Sequence, residues 1–160
     1  MKLTTTTLET PVGPLVALFE EKSLRMLEFA DGAKYPSHLH AEDPTPRNHP
    51  GIARIRAYFD GDLEALDTIE AEGAGTPFQK KVWAALRRIK VGTTLSYGAL
   101  AQTIGAPSAF RAVASANARN PIAVVVPCHR VIGSDGKLSG YGGGVQRKRW
   151  LLVHEGFLLA

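Results

Sequence analysis

The charge of this chain changes sign at one point, which divides the sequence into two regions. Residues 1–75 contain 7 Lys and Arg against 13 Asp and Glu, whereas residues 76–160 contain 12 against 2. The change falls in EAEGAGTP (70–77), the most linker-like stretch of the chain. We therefore predict two domains, 1–75 and 76–160, with the basic one facing a polyanion. A merely solvated basic surface would give the same balance, so charge alone leaves the partner open.

Composition narrows the class of protein. Of the 160 residues 44% are hydrophobic, enough for a core, and no apolar run is long enough to span a membrane. The first residues, MKLTTTTLET, lack the apolar segment of a secretory signal, so we expect a cytoplasmic protein with no membrane partner. The single cysteine cannot form an internal disulfide or a multi-cysteine zinc site.

The first region has the pattern of a small sheet with one helix. GPLVALFE (13–20) and SLRMLEF (23–29) predict a hairpin, and GIARIRAYFDGD (51–62) predicts an amphipathic helix. The predicted apolar face of this helix consists of Ile52, Ile55, Ala57 and Phe59. Residues 31–50 are predicted to be loop. Its histidines lack a partner cysteine or a helical spacing, so we interpret them as solvated residues and not as metal ligands: His38, His40 and His49.

The second region begins with a series of helix signals. TPFQKKVWAALRRI (76–89), LSYGALAQTIG (95–105) and APSAFRAVASANARN (106–120) each predict a helix. The predicted N-caps of the three helices are Thr76, Ser96 and Ser108. The last two helices are short and joined by a tight Gly-Ala-Pro turn, which is the signature of a helix-turn-helix.

The second helix of this pair has an unusual composition for a reader of the major groove. RAVASANA (111–118) has one long side chain, Arg111, followed by very small residues. Small side chains let a helix approach DNA closely but have little reach for base edges, and a plain packing helix would show the same pattern. If the helix binds DNA, we expect shape and phosphate contacts, with Arg111 probing the base stack or binding a phosphate.

The only cysteine follows a continuous valine run. PIAVVVP (121–127) predicts a short strand buried on both faces, which ends at Pro127 because proline cannot donate to a ladder. Cys128 and His129 then lie in a turn at the strand exit, where Cys128 is either a small core residue or a nucleophile. Neighbours in a regular strand point to opposite faces, so His129 needs a bridging water or a bent turn to act on the thiol.

A histidine base needs a group that orients it, and the basic region contains only two carboxylates. Asp135 lies in GSDGKLSG, where an exposed turn role is the simple interpretation. Glu155 lies in the last turn of the helix VQRKRWLLVHEG (145–156), where the helix dipole disfavours an acid. A residue that breaks a local rule is a candidate for function, although an exposed glutamate before a capping glycine remains the alternative.

The glycine-rich stretch SGYGGG (139–144) matches neither a dinucleotide-binding loop nor a P-loop. It is either a flexible connector or a loop whose backbone approaches a ligand closely. Tyr141 within it and Tyr97 before the helix-turn-helix are both available to line a pocket for a flat ligand.

Six segments together carry a family resemblance: TPFQKKVWAALRRI, TTLSYGALAQTIG, FRAVASANARN, NPIAVVVPCHRVIG, GKLSGYGGG and KRWLLVHEG. In this order and spacing, over about residues 76–156, the chain closely resembles the O6-alkylguanine-DNA alkyltransferases, or methylated-DNA–protein-cysteine methyltransferases. The resemblance implies an α+β or α/β protein with a small N-terminal ribonuclease H-like sheet domain. It also implies a C-terminal, mainly helical catalytic domain that binds DNA through a helix-turn-helix of winged-helix type.

The resemblance implies roles for individual residues. Cys128 would accept the alkyl group, His129 would act as a water-assisted base oriented by Glu155, and Asn120 would brace the turn before the active-site strand. Arg111 would fill the gap that a flipped base leaves in the duplex. The positions implied at DNA or at the extruded base are Tyr97, Arg111, Ala112, Ser115, Arg130, Val131, Tyr141, Gly142, Gly143 and Lys148.

The implied activity is repair of double-stranded DNA that contains O6-alkylguanine and, less firmly, O4-alkylthymine. The alkyl group would be transferred irreversibly, once per molecule, with no cofactor or metal, by a protein expected to be a monomer; cooperative binding along DNA is left open. The chain departs from some members in having Gly142 in place of serine and no N-terminal zinc-binding cysteines. A non-catalytic lesion sensor and a cysteine hydrolase are the alternatives, and the presence of Cys128 argues against the first.

Overall fold

A hairpin and two flanking strands form the sheet of the N-terminal part. The computed structural model describes residues 2–32, 43–138 and 140–160, and its sheet has the order β3-β2-β1-β4. The strands are β1 (Leu3–Leu8), β2 (Leu15–Glu20), β3 (Ser23–Phe29) and β4 (Asp43–Pro44). The predicted hairpin is confirmed, because β2 pairs antiparallel with β3 from Leu15 opposite Phe29 to Glu20 opposite Ser23. Strand β1, which pairs with β2, consists largely of threonines, whose β-branched side chains favour extended backbone.

Helix α1 (Pro50–Phe59) follows the sheet as predicted, with Ile52 and Ile55 buried. Tyr58 is fully buried and Phe59 is only half-buried, so the predicted apolar face is displaced by one residue. A short 3-10 turn at Ala65–Thr68 follows α1.

The interpretation of His49 as a solvated loop residue is wrong. Its side chain is buried, its Nδ1 accepts a hydrogen bond from the Gly51 amide at 2.9 Å, and its Nε2 donates to the Glu21 carbonyl at 2.8 Å. His49 is the N-cap of α1, a role that serine or aspartate usually fills. His38 and His40 lie outside the described residues.

The C-terminal part is mainly helical. Its helices are α2 (Pro77–Leu86), α3 (Tyr97–Thr103), α4 (Phe110–Ala118) and α5 (Val145–His154), and two short strands, β5 (Leu95–Ser96) and β6 (Val131–Ile132), pair in parallel. The capping prediction at Thr76 is confirmed: its Oγ1 accepts from the Gln79 amide at 3.1 Å while Gln79 Oε1 accepts from the Thr76 amide at 2.9 Å. Ser96 caps α3 in the same way through the Ala99 amide, at 3.0 Å. The mixture of a sheet and helices confirms the predicted α+β class.

Helix α4 begins later than predicted, and Ser108 is not its cap. The Ala109 amide donates to the Ala106 carbonyl at 2.9 Å, so residues 106–109 form a turn of their own. The N-cap is Ala109, which makes no side-chain capping bond. The two helices are nevertheless joined as a helix-turn-helix requires, because Gly105, which follows the C-cap Ile104 of α3, adopts the left-handed conformation (φ 74°) that stops the helix.

The valine run is buried as predicted, but it is not a strand. Only Ile122 forms a bridge, pairing in parallel with Leu27. The chain then turns: the Val125 amide donates to the Ala123 carbonyl at 2.8 Å, and Val124 has a φ of 70°. A valine in this left-handed region is a true outlier, so packing and not local preference sets its conformation.

The chain divides by its internal contacts into two units. One comprises Met1–Gly73 with Pro121–Val125, and the other comprises Ala74–Asn120 with Val126–Ala160. The predicted boundary at 75/76 lies close to the first division. The prediction assigned the whole valine run to the second domain, whereas its residues Pro121–Val125 are grouped with the first unit. No helix within the described ranges is long and apolar enough to cross a membrane.

Candidate active site

The cysteine lies in a braced turn. Cys128–Arg130 form a single 3-10 turn after Pro127, and Cys128 is 8% exposed. The Val126 carbonyl accepts two hydrogen bonds, from the Cys128 amide at 2.8 Å and from the buried Asn120 Nδ2 at 2.7 Å. Asn120 therefore ties the end of the helix-turn-helix segment to the residues that hold the thiol.

The neighbouring histidine is paired with a carboxylate in a site closed to solvent. His129 Nε2 lies 2.8 Å from Glu155 Oε2, and both side chains are 0% exposed. Glu155 stands at the C-cap of α5, where the helix dipole is unfavourable for an acid. The cationic and hydrogen-bonding partners it finds there offset that cost, so the exposed-glutamate alternative is excluded.

Arg130 occupies the other side of the same carboxylate. Its Nε donates to Glu155 Oε1 at 2.8 Å, one terminal nitrogen donates to Oε2 at 2.9 Å, and the other donates to the Ile89 carbonyl at 2.6 Å. The assignment of Arg130 to DNA binding is thus corrected, because all of its donor nitrogens are directed to buried protein acceptors. Neither chain position nor residue type distinguishes a buried arginine of this kind from a surface one.

The protonation states of the pair follow from these contacts. Burial alone would raise the pKa of Glu155, but the hydrogen bonds of His129 and Arg130, the charge of Arg130 and, once it is protonated, that of His129 hold the pKa of that carboxyl at about 2. Burial lowers the pKa of His129 below its ordinary value, and the cations Arg130 and Lys148 add to this effect against the opposing influence of Glu155. At neutral pH the site therefore contains a carboxylate and a neutral imidazole.

A neutral His129 that donates from Nε2 has its lone pair on Nδ1. Nδ1 is buried and has no hydrogen-bond partner among the residues the structure describes. A buried acceptor of this kind is uncommon and is a feature of sites that transfer protons. The arrangement supplies a base one residue away from a thiol.

The pKa values of two further side chains, Lys148 and Tyr97, depend on the charge of Cys128. Lys148 is fully buried, and its Nζ donates to the Val131 carbonyl at 2.6 Å. Burial lowers the pKa of Lys148, whereas a thiolate at Cys128 raises it. Burial and the same thiolate charge raise the pKa of Tyr97. Both side chains are therefore close enough to Cys128 to sense its ionisation, and a cationic Lys148 would in turn favour the thiolate.

The remaining predicted residues lie on the outside of the C-terminal unit. Arg111 and Ala112 are exposed on α4, and Ser115 is half-buried, its Oγ accepting a hydrogen bond from Arg119. In the glycine-rich loop Tyr141 and Gly143 are half-buried and Gly142 is exposed; Ser139 is not among the described residues. Asp135 has the turn role expected for it, because its Oδ1 accepts from the Lys137 amide at 3.0 Å.

Two residues near Tyr97 were not singled out from the sequence. A Cβ atom at Gly140 would lie 3.0 Å from the Tyr97 hydroxyl, and the φ of Gly140 is 72°. Asn117 is buried on α4, and its hydrogen bonding partly offsets the rise in the pKa of Tyr97. The glycine-rich composition was a signal for the first residue, whereas an asparagine within a run of alanines gave only a weak signal for the second.

A thiol beside a neutral histidine and a buried carboxylate, in a basic helix-turn-helix unit, defines a DNA-binding protein with a nucleophilic cysteine. No group of three or more His, Cys, Asp or Glu residues in the described parts of the chain is arranged to hold a metal ion. The groups that the structure brings together at this site are a thiol, an imidazole and a carboxylate.

Comparison with known proteins narrows this class to one family. The model of the 6-O-methylguanine DNA methyltransferase DNA-binding domain matches residues 77–157. A methylated-DNA–protein-cysteine methyltransferase of Salmonella typhimurium is 47% identical over 160 residues, 94% of each chain. One of Mycobacterium tuberculosis is 48% identical over 150 residues, covering 93% of this chain and 90% of the relative. The chain belongs to the 6-O-methylguanine DNA methyltransferase family.

Solved structures agree with this assignment. The O6-methylguanine methyltransferase of Mycobacterium tuberculosis superimposes with a TM-score of 0.84 at 44% identity, covering 96% of this chain and 92% of that one. A structure of the OGT of the same organism in complex with DNA gives a TM-score of 0.84 at 42% identity, covering 100% and 96%.

Proposed function

We propose that this protein repairs alkylated DNA by moving the alkyl group from O6 of guanine to the Sγ atom of Cys128. The observation that carries the proposal is the buried Nδ1 of a neutral His129, which has no hydrogen-bond partner in the described part of the chain. His129 is held by an ionised Glu155 in the turn that contains the only cysteine. The relatives named methylated-DNA–protein-cysteine methyltransferases support the same reaction.

The proposed reaction begins with a proton transfer. The Cys128 thiol gives its proton to His129 Nδ1 through a bridging water, and Glu155 stabilises the imidazolium that forms. The thiolate then attacks the alkyl carbon: an S–C bond forms, the C–O6 bond breaks, and its electron pair leaves with guanine. The proton taken from the thiol balances the one that the departing guanine needs, so no oxidant, metal or cofactor enters.

Neighbouring groups prepare the thiolate and bind the base. Lys148, whose ammonium lies within electrostatic reach of Cys128, favours the ionised thiol. Lys148 also fixes the Val131 carbonyl, which, with the carbonyl of Cys128, would accept hydrogen bonds from the guanine amino group. Tyr97 would contact the extruded nucleotide, and Tyr141, Gly142 and Gly143 would lie along the O6 edge.

Access to O6 requires the guanine to leave the duplex. Extrusion of a base costs a few kcal/mol of lost stacking and pairing. The exposed, small-residue surface of α4, with Ala112 and Ser115, would lie against the DNA backbone, and Arg111 at its N-terminal end would fill the vacated space. The excess of cations in residues 76–160 would add affinity for phosphates that is independent of sequence.

The thioether that forms at Cys128 should limit each molecule to a single turnover. A thioether is not reversed by thiol exchange, and the chain contains no second cysteine to attack it. We also propose that the protein acts as a monomer in the cytoplasm, with O6-alkylguanine in double-stranded DNA as its substrate.

Intact-mass measurement after incubation with an O6-methylguanine duplex tests this function. The expected result is a gain of one methyl group on the Cys128 peptide that saturates at one per molecule. The Cys128→Ser variant should bind the duplex and gain nothing. Tight binding by the unaltered protein with no mass gain would establish a lesion-sensing function instead and overturn the proposal.

A further inference from the structure

Phe110 lies on the buried face of helix α4 but is itself exposed to solvent. It is the first residue of α4, and 51% of its surface is exposed. Val113 and Asn117, at helical spacings of three and seven from Phe110, lie on the same face of α4 and are both buried. Phe110 therefore extends the buried face of the helix beyond the point where the protein covers it.

Within the protein, the ring of Phe110 contacts the ring of Tyr97, the tyrosine of the candidate active site. The rings of Phe110 and Tyr97 are 6.0 Å apart and inclined at 60°, an edge-to-face arrangement. Both residues line a cleft of about 380 Å³ whose other wall is formed by the turn at Gly133 and Asp135. Tyr97 belongs both to this cleft and to the groups whose pKa responds to the charge of Cys128.

On the other side, Phe110 is adjacent to Arg111, the residue assigned to the vacated space in the duplex. Consecutive residues of a helix point about 100° apart, so Phe110 and Arg111 are directed differently from the same end of α4. Of the two, Phe110 is the one whose ring contacts Tyr97.

Extrusion of a nucleotide removes the stacking partner of the base next to it. An aromatic ring at that place replaces the lost contact in a way that tolerates any sequence, because every base has a flat face. A partly exposed phenylalanine supplies such a ring without a polar group that would need a partner.

We propose that Phe110 stacks on the base next to the extruded nucleotide, in the strand that carries the lesion. This inference rests on the proposed function, and it adds a contact that is specific for opened duplex DNA. It predicts that Phe110 contributes to the reaction with duplex DNA and not to the chemistry at Cys128.

The test compares Phe110→Ala with Phe157→Ala, which removes another partly exposed phenylalanine (38%) of the same unit. We expect Phe110→Ala to slow transfer from an O6-methylguanine duplex by about tenfold, the effect of losing one stacked base. Transfer from the free base O6-benzylguanine should change less than twofold. Phe157→Ala should match the unaltered protein on both substrates.

Two further variants separate stacking from bulk. Phe110→Trp retains a flat ring and should keep the duplex rate, whereas Phe110→Leu retains apolar volume and should lose it. A 2-aminopurine next to the lesion is quenched by stacking in the free duplex; it should stay quenched on binding by the unaltered protein and brighten on binding by Phe110→Leu, which leaves it unstacked. Equal quenching by both, or equal rate losses on duplex and free base, would overturn the stacking assignment.

The outcomes also separate this inference from the proposed function. If the unaltered protein takes up the alkyl group from the free base, the transfer chemistry stands whatever Phe110 does. If the unaltered protein takes up no alkyl group from the duplex and none from the free base, the proposed function and the stacking inference are both overturned. A thermal melt of each variant confirms that it is folded before rates are compared.

Discussion

Glu155 is shared by His129 on one oxygen and by Arg130 on both, with Oε2 lying 2.8 Å from His129 Nε2 and 2.9 Å from a terminal nitrogen of Arg130. The carboxylate thus orients the base and at the same time neutralises a buried arginine. The proposed orientation of His129 and the stability of the C-terminal unit both depend on the Glu155 side chain. These two roles of Glu155 lead to different predictions.

The first prediction concerns acid stability. The pKa of Glu155 falls from 4.5 to about 2 on folding, so its contribution to stability is complete above pH 4.5 and is lost as the pH falls towards 2. The free energy of unfolding should decrease by about 3 kcal/mol over that interval on account of this group. Urea unfolding at several pH values measures it. Asp135→Asn, which changes an exposed carboxylate, should leave the decrease intact, and an undiminished decrease in Glu155→Gln would contradict the assignment.

The second prediction concerns the base. His129→Ala should reduce the transfer rate by roughly 10²–10⁴-fold while DNA affinity changes little, because the thiol loses its proton acceptor. Burial lowers the pKa of His129, so the unaltered protein should keep its rate below pH 6.5, where an ordinary histidine is already protonated. Single-turnover kinetics over a pH series test both points. His154→Ala, which removes a histidine stacked on Trp150, is the matched control.

The third prediction concerns the thiolate. Replacement of Lys148 by Met removes a buried cation within electrostatic reach of Cys128, so the pKa of the thiol should rise. The pH profile of alkylation by iodoacetamide should move to higher pH, and transfer at neutral pH should slow. Lys137→Met, at an exposed position, should leave the profile unchanged. An identical profile for the two variants would mean that Lys148 serves only to hold the Val131 carbonyl.

The fourth prediction concerns Arg111. Arg111→Ala should slow the repair of duplex DNA far more than the reaction with a free base, because only the duplex has a gap to fill. DNA affinity should fall with salt in the unaltered protein, with a slope set by the number of neutralised phosphates. Equal losses on both substrates would refute the gap-filling role.

Local signals predicted the helices of the C-terminal unit well. Thr76 and Ser96 make the capping bonds that their positions indicate, and Gly105 ends α3 as expected. Glu155 was recognised because it conflicts with the dipole of its own helix, and such a conflict is visible in a sequence. A site residue that breaks a local rule is therefore among the more predictable ones.

Other features depend on tertiary packing and left no readable signal. The valine run has strong strand preference, yet Val124 adopts a left-handed conformation that no propensity predicts. Arg130 is buried against Glu155, although its sequence neighbours give no sign of this. His49 caps a helix with its ring because a carbonyl from the strand turn, that of Glu21, is in place to hold it.

The glycine at position 140 has a consequence for how this chain can vary. Its backbone is left-handed, and any side chain there would press on the Tyr97 hydroxyl at 3.0 Å. Substitution is thus opposed by two independent physical causes, and relief of either one leaves the other. We therefore expect natural variants of this protein to keep glycine at position 140 while the exposed residues around it change. The need to place the Tyr97 hydroxyl would then restrict a residue that takes no part in the chemistry.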